Sequence, residues 1–259
     1  MQHFENKENI GLSFVRQLSD AKPYTNILVS QYPIEKRTNY SFQGAAYLAP
    51  LYLYGEHLGE ISRTPNFSKA FYSNYLRNIS WKPSAEDVLS YMYAVLHSPV
   101  YRRKYNDFLR TDFPAIPMSK SKVTFNKYSK LGNVLINLHL LKNIPDDKTI
   151  SVNFDGVKGI FIFENVLLAN NSLNITVSSV GNNSKGGLIV FKGVSSDFYD
   201  FEIGALKPID LWIKNRIKDK VQITINDLQH IKNMIIAIKE TIKAMNNIEE
   251  LGEEYLNDI

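Results

Sequence analysis

The chain has 259 residues, 44% of them hydrophobic, a formal net charge of +4 and no cysteine. That is enough apolar material for one large core or two modest ones, and it excludes a disordered chain, a disulfide framework and a thiolate metal site. No apolar run approaches the roughly 20 residues that span a bilayer, and the start at Met1 lacks the basic and apolar stretches of a signal peptide, so a cytoplasmic protein with no membrane partner is expected.

In chain order, strands come first. Residues 27–32 and 46–53 carry the β-branched and aromatic content of strands, with Pro33, Asn39 and Gly44 as breaks, and Pro50 makes the second an edge or bulged strand. Asn66 is placed to cap a short helix through Arg77, and Ser84 with Asp87 forms a capping-box start to a helix through Leu96. His97-Ser98-Pro99 ends that helix and starts another, and Pro114 and Pro117 impose an extended connector. Helix resumes after Ser121, with Val134, Leu135, Leu138 and Leu141 at helical spacing. From 149 to 203 the pattern becomes short strands (150–154, 159–163, 173–179, 188–191 and 199–203) separated by turn clusters, which predicts an antiparallel meander. Two helices close the chain, the last with a seam of Leu228, Ile231, Ile235, Ile238, Ile242 and Met245. The reading is α+β: a β-rich part with antiparallel strands, a helical scaffold and a C-terminal helical pair. Its expected division is 1–204 (strands 27–54, helices 66–141, a β-rich part over 149–203), followed by a helical segment, 205–259, packing on it.

The charge distribution says more than its sum. Arg102, Arg103, Lys104, Arg110, Lys120, Lys122, Lys127 and Lys130 face only Asp107 and Asp112 over 29 residues, whereas the tail beyond Asn247 is acidic. Lysine, serine and asparagine across 119–130 can all bond phosphate oxygens, which makes Lys120, Lys122, Lys127 and Lys130 the candidate phosphate contacts, against the alternative of a solvated helix face. Other patterns mislead. The glycine cluster 181–187 lacks the lysine and hydroxyl residue that follow the last glycine of a phosphate loop, so it reads as a hairpin loop. Asp146-Asp147-Lys148 has no converging Glu-x-Lys and reads as a loop rather than a nuclease site. The five histidines show no ligand-like spacing, and no metal is assigned. Trp81, Trp212 and the tyrosines of the 85–96 helix are expected to pack in the core rather than stack on bases.

One stretch is distinctive as wording. Ser90-Tyr91-Met92-Tyr93-Ala94-Val95-Leu96-His97-Ser98-Pro99-Val100-Tyr101-Arg102-Arg103-Lys104-Tyr105, followed by Asp112-Phe113-Pro114-Ala115-Ile116-Pro117, resembles the C-terminal specificity region of type ISP restriction-modification enzymes and their type IIG relatives. Glu8-Asn9-Ile10-Gly11-Leu12, Tyr47-Leu48-Ala49-Pro50-Leu51-Tyr52-Leu53-Tyr54, Phe201-Glu202-Ile203-Gly204-Ala205 and Leu211-Trp212-Ile213-Lys214-Asn215-Arg216 are similar in order and spacing, with Ala205 where the family usually has a second glycine.

The resemblance implies a bacterial target recognition domain that reads a short duplex site through major-groove base edges and selects it for adenine methylation and cleavage by other domains. It implies no catalysis and no cofactor in this chain. S-adenosylmethionine is expected in the methyltransferase domain or subunit of the parent, a DNA adenine N6-methyltransferase and endonuclease; that methyltransferase and duplex DNA are the expected partners. Arg102 to Lys104 fall in scaffold wording and are expected to pack or pair within the chain. Base contacts are expected in the unmatched segments, from Lys36, Arg37, Asn39 and Gln43 and from Asn182, Asn183, Lys185 and Lys192, because arginine and lysine can address guanine, and asparagine and glutamine adenine. The alternative is a protein interaction module that docks through the apolar seam of its last helix.

Overall fold

The computed structural model describes residues 2–18, 23–38, 45–57, 60–155, 157, 159–180 and 186–255. The chain divides into two compact units, residues 1–140 with 242–259, and residues 141–241. The 204/205 junction falls inside the second unit, and the last helix contributes residues to both.

In the first unit, β1 (Gly11–Val15), β2 (Leu28–Ser30) and β3 (Ala46–Pro50) form an antiparallel sheet in the order β2-β1-β3. Pro50 therefore sits on an edge, where its missing N–H costs no ladder bond. The expected strand 46–53 breaks at Leu51, which is buried and takes its own bonds from Leu51 N–H to the Ile10 carbonyl and from Asn66 N–H to the Leu51 carbonyl. Asn9 completes the break, accepting from Tyr52 N–H and donating to the Tyr52 carbonyl. β4 (Tyr52–His57) then pairs with β5 (Glu60–Pro65) in a separate hairpin.

Asn66 does not cap the next helix, because its amide is bonded to the Pro50 carbonyl; Ser68 caps α1 (Lys69–Phe71) instead. A π-turn over Tyr72–Leu76 follows directly. The capping box of Ser84 and Asp87 starts α2 (Ala85–His97), and Ser98 with Pro99 opens α3 (Pro99–Lys104), followed by α4 (Asn106–Leu109). Tyrosines of the distinctive stretch hold the proline connector: Tyr101 donates to the Ala115 carbonyl, and Tyr91 donates to the Pro117 carbonyl while accepting from Ser119 N–H. A segment with two prolines has few N–H groups to offer a sheet, so side-chain hydroxyls satisfy its carbonyls.

The connector delivers the chain to α5 (Lys122–His139), which packs on α2. Its buried face is Phe125, Tyr128, Ser129, Gly132, Leu135, Ile136 and Leu138; Val134 is exposed and Leu141 lies beyond the helix end, so the expected apolar stripe is rotated. Tyr91 stacks on Phe125 with ring centroids 4.9 Å apart.

A polar knot lies inside this unit. His97 Nδ1 bonds the Tyr93 carbonyl, the Tyr93 hydroxyl bonds His139 Nδ1, and the buried Arg102 donates from Nε to the Leu96 carbonyl. Burial lowers the Arg102 guanidinium to about 10, still protonated at neutral pH. Burial and that fixed charge hold both imidazoles neutral, His139 down to about 4 and His97 well below its ordinary value.

The second unit is built on five antiparallel strands, β6 (Ser151–Asp155), β7 (Phe161–Ala169), β8 (Ser172–Ser179), β9 (Gly186–Lys192) and β10 (Gln222–Ile223), in the order β10-β7-β8-β9-β6. The central β7-β8-β9 run is the expected meander. Phe161, Phe163, Leu173, Ile175, Val177, Ile189 and Phe191 are buried at every second position, which puts them on one face. The expected strand 199–203 is not one: α6 (Ser196–Tyr199) occupies its start, and Ile203 and Leu206 exchange backbone bonds across a tight turn. Gly204 takes φ +61° in that turn, whereas Ala205 does not need positive φ, so the second glycine of the family wording is dispensable here.

α7 (Pro208–Lys218) packs on β7, and α8 (Ile225–Tyr255) closes the chain. Along α8 the expected seam positions Leu228, Ile231, Ile235 and Ile238 are buried, as are Ile236, Ala237, Thr241, Ala244, Ile248 and Gly252, whereas Ile242 and Met245 are only half-buried. No helix among the described residues is long and apolar enough to cross a membrane.

Candidate nucleic-acid interface

Ser121 caps α5 by accepting from Thr124 N–H, and the helix contains no acidic residue. Its exposed positions are Lys122, Val123, Asn126, Lys127, Lys130, Asn133 and Val134. At 3.6 residues per turn these fall within an arc of about 140°. Lys120 is exposed in the approach to the helix, and none of Lys120, Lys122, Lys127 and Lys130 takes part in an ion pair among the described residues. The opposite face is anchored through Phe125 and Tyr128, so the lysines project from a fixed helix on flexible stems. The result is a cationic face interleaved with amide side chains, suited chemically to phosphate oxygens.

Of the other expected contacts, Lys36, Arg37 and Lys192 fall among the described residues. Lys36 and Arg37 are exposed in the turn after β2, where Glu35 accepts from Arg37 N–H and Ala46 N–H closes the loop base on the Lys36 carbonyl. Asn39 and Gln43 in that loop, and Asn182, Asn183 and Lys185 in the later one, lie outside the described residues. Lys192 is exposed at the end of β9 and belongs to the second unit.

Residues expected to be structural are so in part, since Trp81 and Trp212 are half-buried rather than in the core and Lys104 is exposed. Arg102 is buried, and Arg103 pairs with Glu249 at 2.6 Å. Asp147 pairs with Lys239 at 2.6 Å and accepts from Thr149 N–H and its hydroxyl, contacts that draw its carboxyl down to about 2. It staples a loop to a helix. Trp81 packs on Phe125, and Trp212 stacks on His230 and lies under the Arg216 guanidinium. Among the described residues no group of three or more histidines or carboxylates is placed to hold a metal ion.

Two arrangements escape the sequence. His97 and His139 stand 42 positions apart yet bring their rings to 5.3 Å, because α2 and α5 pack together. An open groove over residues 69–83 gathers Lys69, Arg77 and Lys82 around aromatic side chains. The absence of acids from 61 to 85 was its available signal.

Fold and surface define an α+β chain whose first unit carries a cationic helix face. The family model of the type ISP C-terminal specificity domain matches residues 1–247, and the chain belongs to that family. Solved structures share the fold. A nuclease-deletion mutant of the type ISP restriction-modification enzyme LlaGI, in complex with a DNA substrate mimic, matches at TM-score 0.58 and 19% identity over 95% of this chain and 21% of that one. The ATP-dependent type ISP restriction-modification enzyme LlaBIII bound to DNA matches at 0.61 and 18% over 95% and 16%. The DrdV–DNA complex matches at 0.60 and 19% over 95% and 25%. The chain thus spans a quarter or less of each of these proteins. A comparison with curated proteins gives no match.

Proposed function

We propose that this chain is the sequence-reading module of a restriction-modification enzyme: it grips duplex DNA and chooses the site on which other domains act. The α5 face carries the proposal, since it presents Lys122, Lys127 and Lys130 with Lys120 beside them, without a carboxylate on the helix. Membership of the type ISP specificity family and the DNA-bound state of structurally similar enzymes support it.

In this reading the α5 lysines set orientation on the phosphates, and the loops around Lys36 and Arg37 and around Asn182, Asn183 and Lys185 read base edges. The partner is a methyltransferase domain or subunit that uses S-adenosylmethionine to methylate adenine N6 after flipping the base, so catalysis and cofactor lie outside this chain. Kinship with type IIG enzymes belongs to the same proposal. Docking through the last helix has less support, because Leu228, Ile231, Ile235 and Ile238 of its seam are already buried.

Replacing Lys120, Lys122, Lys127 and Lys130 together by Gln tests the grip. Each lysine that neutralises a phosphate contributes about 0.9 to the dependence of log affinity on log salt, so the slope should fall by up to about 4 with the fold intact. An unchanged slope would remove α5 from the interface. Base reading is tested by Ala at Arg37 and at Lys185 in the complete enzyme, where an altered site preference is expected and an unaltered one refutes the assignment.

A further inference from the structure

The groove over residues 69–83 has an open volume of about 590 Å³, with Lys69, Tyr72, Arg77, Trp81 and Lys82 among its walls. The chain between residues 61 and 85 contains no acid, and none of the three cations is in an ion pair or hydrogen bond among the described residues. Three like charges around one opening repel each other, an arrangement that an anionic ligand relieves. Tyr72 is 42% exposed, and the Trp81 indole N–H has no hydrogen-bond partner among the described residues. The wall bearing Tyr72 and Leu76 is the π-turn, a helical irregularity that recurs at functional sites.

The groove is fixed beside the start of α5. Tyr75, inside the π-turn, donates to the Ser119 carbonyl at 2.7 Å, and Trp81 packs on Phe125 of α5 with centroids 6.1 Å apart. Lys120 and Lys122 flank the residue that caps that helix. Groove and helix therefore bring cations from two separate sequence segments together in one unit.

We infer that this groove is a second phosphodiester-binding site, continuing the α5 grip along the sugar–phosphate backbone of the same duplex. The inference rests on the DNA-reading proposal. Lys69, Arg77 and Lys82 neutralise phosphates, and the rings of Tyr72 and Trp81 give the sugar edge an apolar wall. Such contacts carry no base preference, so they serve affinity and register on any sequence.

The test is duplex binding by the intact chain between 50 and 200 mM salt, comparing wild type, the triple variant Lys69→Gln/Arg77→Gln/Lys82→Gln and the α5 quadruple variant. All substituted side chains are exposed, and thermal unfolding verifies that the variants fold. The triple variant is expected to weaken binding equally on different sequences and to lower the salt slope by about 3. If the α5 variant lowers the slope while the triple variant keeps the wild-type slope, the groove inference is overturned and the DNA-reading proposal stands. If wild type binds no duplex even at 50 mM salt, the DNA-reading proposal fails and the groove inference fails with it. A nucleoside triphosphate that binds wild type but not the triple variant, with duplex slopes unchanged, would make the groove a free-nucleotide site and overturn the inference.

Discussion

Gly132→Ala is expected to destabilise the first unit by about 3 kcal/mol or more, lowering its melting temperature by roughly 6–12 °C. A Cβ at this position would lie 1.7 Å from the Ser90 carbonyl oxygen and 3.2 Å from the Ala94 Cβ. Ser90 and Ala94 are one turn apart on α2, so two small residues and a glycine let the helices meet almost backbone to backbone. No rotamer relieves a methyl group pressed against a main-chain oxygen, and separating the helices would loosen the stacked Tyr91 and Phe125. Gly55→Ala is the control, since its nearest neighbour would be Ser62 Oγ at 3.9 Å, and it should stay within about 0.5 kcal/mol of wild type. Thermal unfolding of the two variants checks this. A Gly132→Ala protein that melts with wild type would refute the close approach of α2 and α5.

Acid is expected to destabilise the protein earlier than its carboxylates alone would. His139 takes up a proton near pH 6.5 when unfolded but only near pH 4 in the folded chain, because burial and the Arg102 charge oppose its cation. Between those limits the unfolded state binds more protons, so stability is fully present above pH 6.5 and is lost as pH falls. For His139 the loss reaches about 2 kcal/mol by pH 5 and up to about 3 at pH 4. His97, also held low, adds in the same direction, whereas the Asp147 contribution is lost only below the ordinary carboxylate range. Urea unfolding at pH 7.5 and 5.0 should show a loss smaller by up to about 2 kcal/mol in His139→Asn than in wild type, since the Asn amide retains a partner for the Tyr93 hydroxyl without a titrating ring. Equal losses in the two proteins would show that His139 is not the source.

The features visible in the sequence are those whose partners lie close along the chain. The Ser84 and Asp87 box, the Ser98-Pro99 start and the β7-β8-β9 meander are local, and each appears near its expected place, although β7 runs on to Ala169, six residues past the expected strand end at 163. β1 was not legible because Leu12, Ser13 and Val15 are all buried, which erases the alternation that marks a strand with one wet face. β5 escaped because its exposed residues Ser62, Arg63 and Thr64 read as a loop, and its strand identity comes from pairing with β4.

For the candidate site, the α5 lysines were legible because a helical run without acids is a local property. Their true orientation was not, since Gly132 rather than Val134 lies against α2. The groove needed the Tyr75 to Ser119 bond, which joins positions 44 residues apart. The tyrosine-rich wording that marks the family turns out to hold the Pro114 to Pro117 connector, and thereby sets where α5 begins.

Duplex DNA binding by this chain at low salt, repeated over rising salt with single-stranded DNA as the comparison, tests the central proposal most directly. Duplex preference with affinity falling steeply as salt rises is the result the phosphate-gripping account predicts. No binding to duplex at low salt, or binding indifferent to salt, would contradict it.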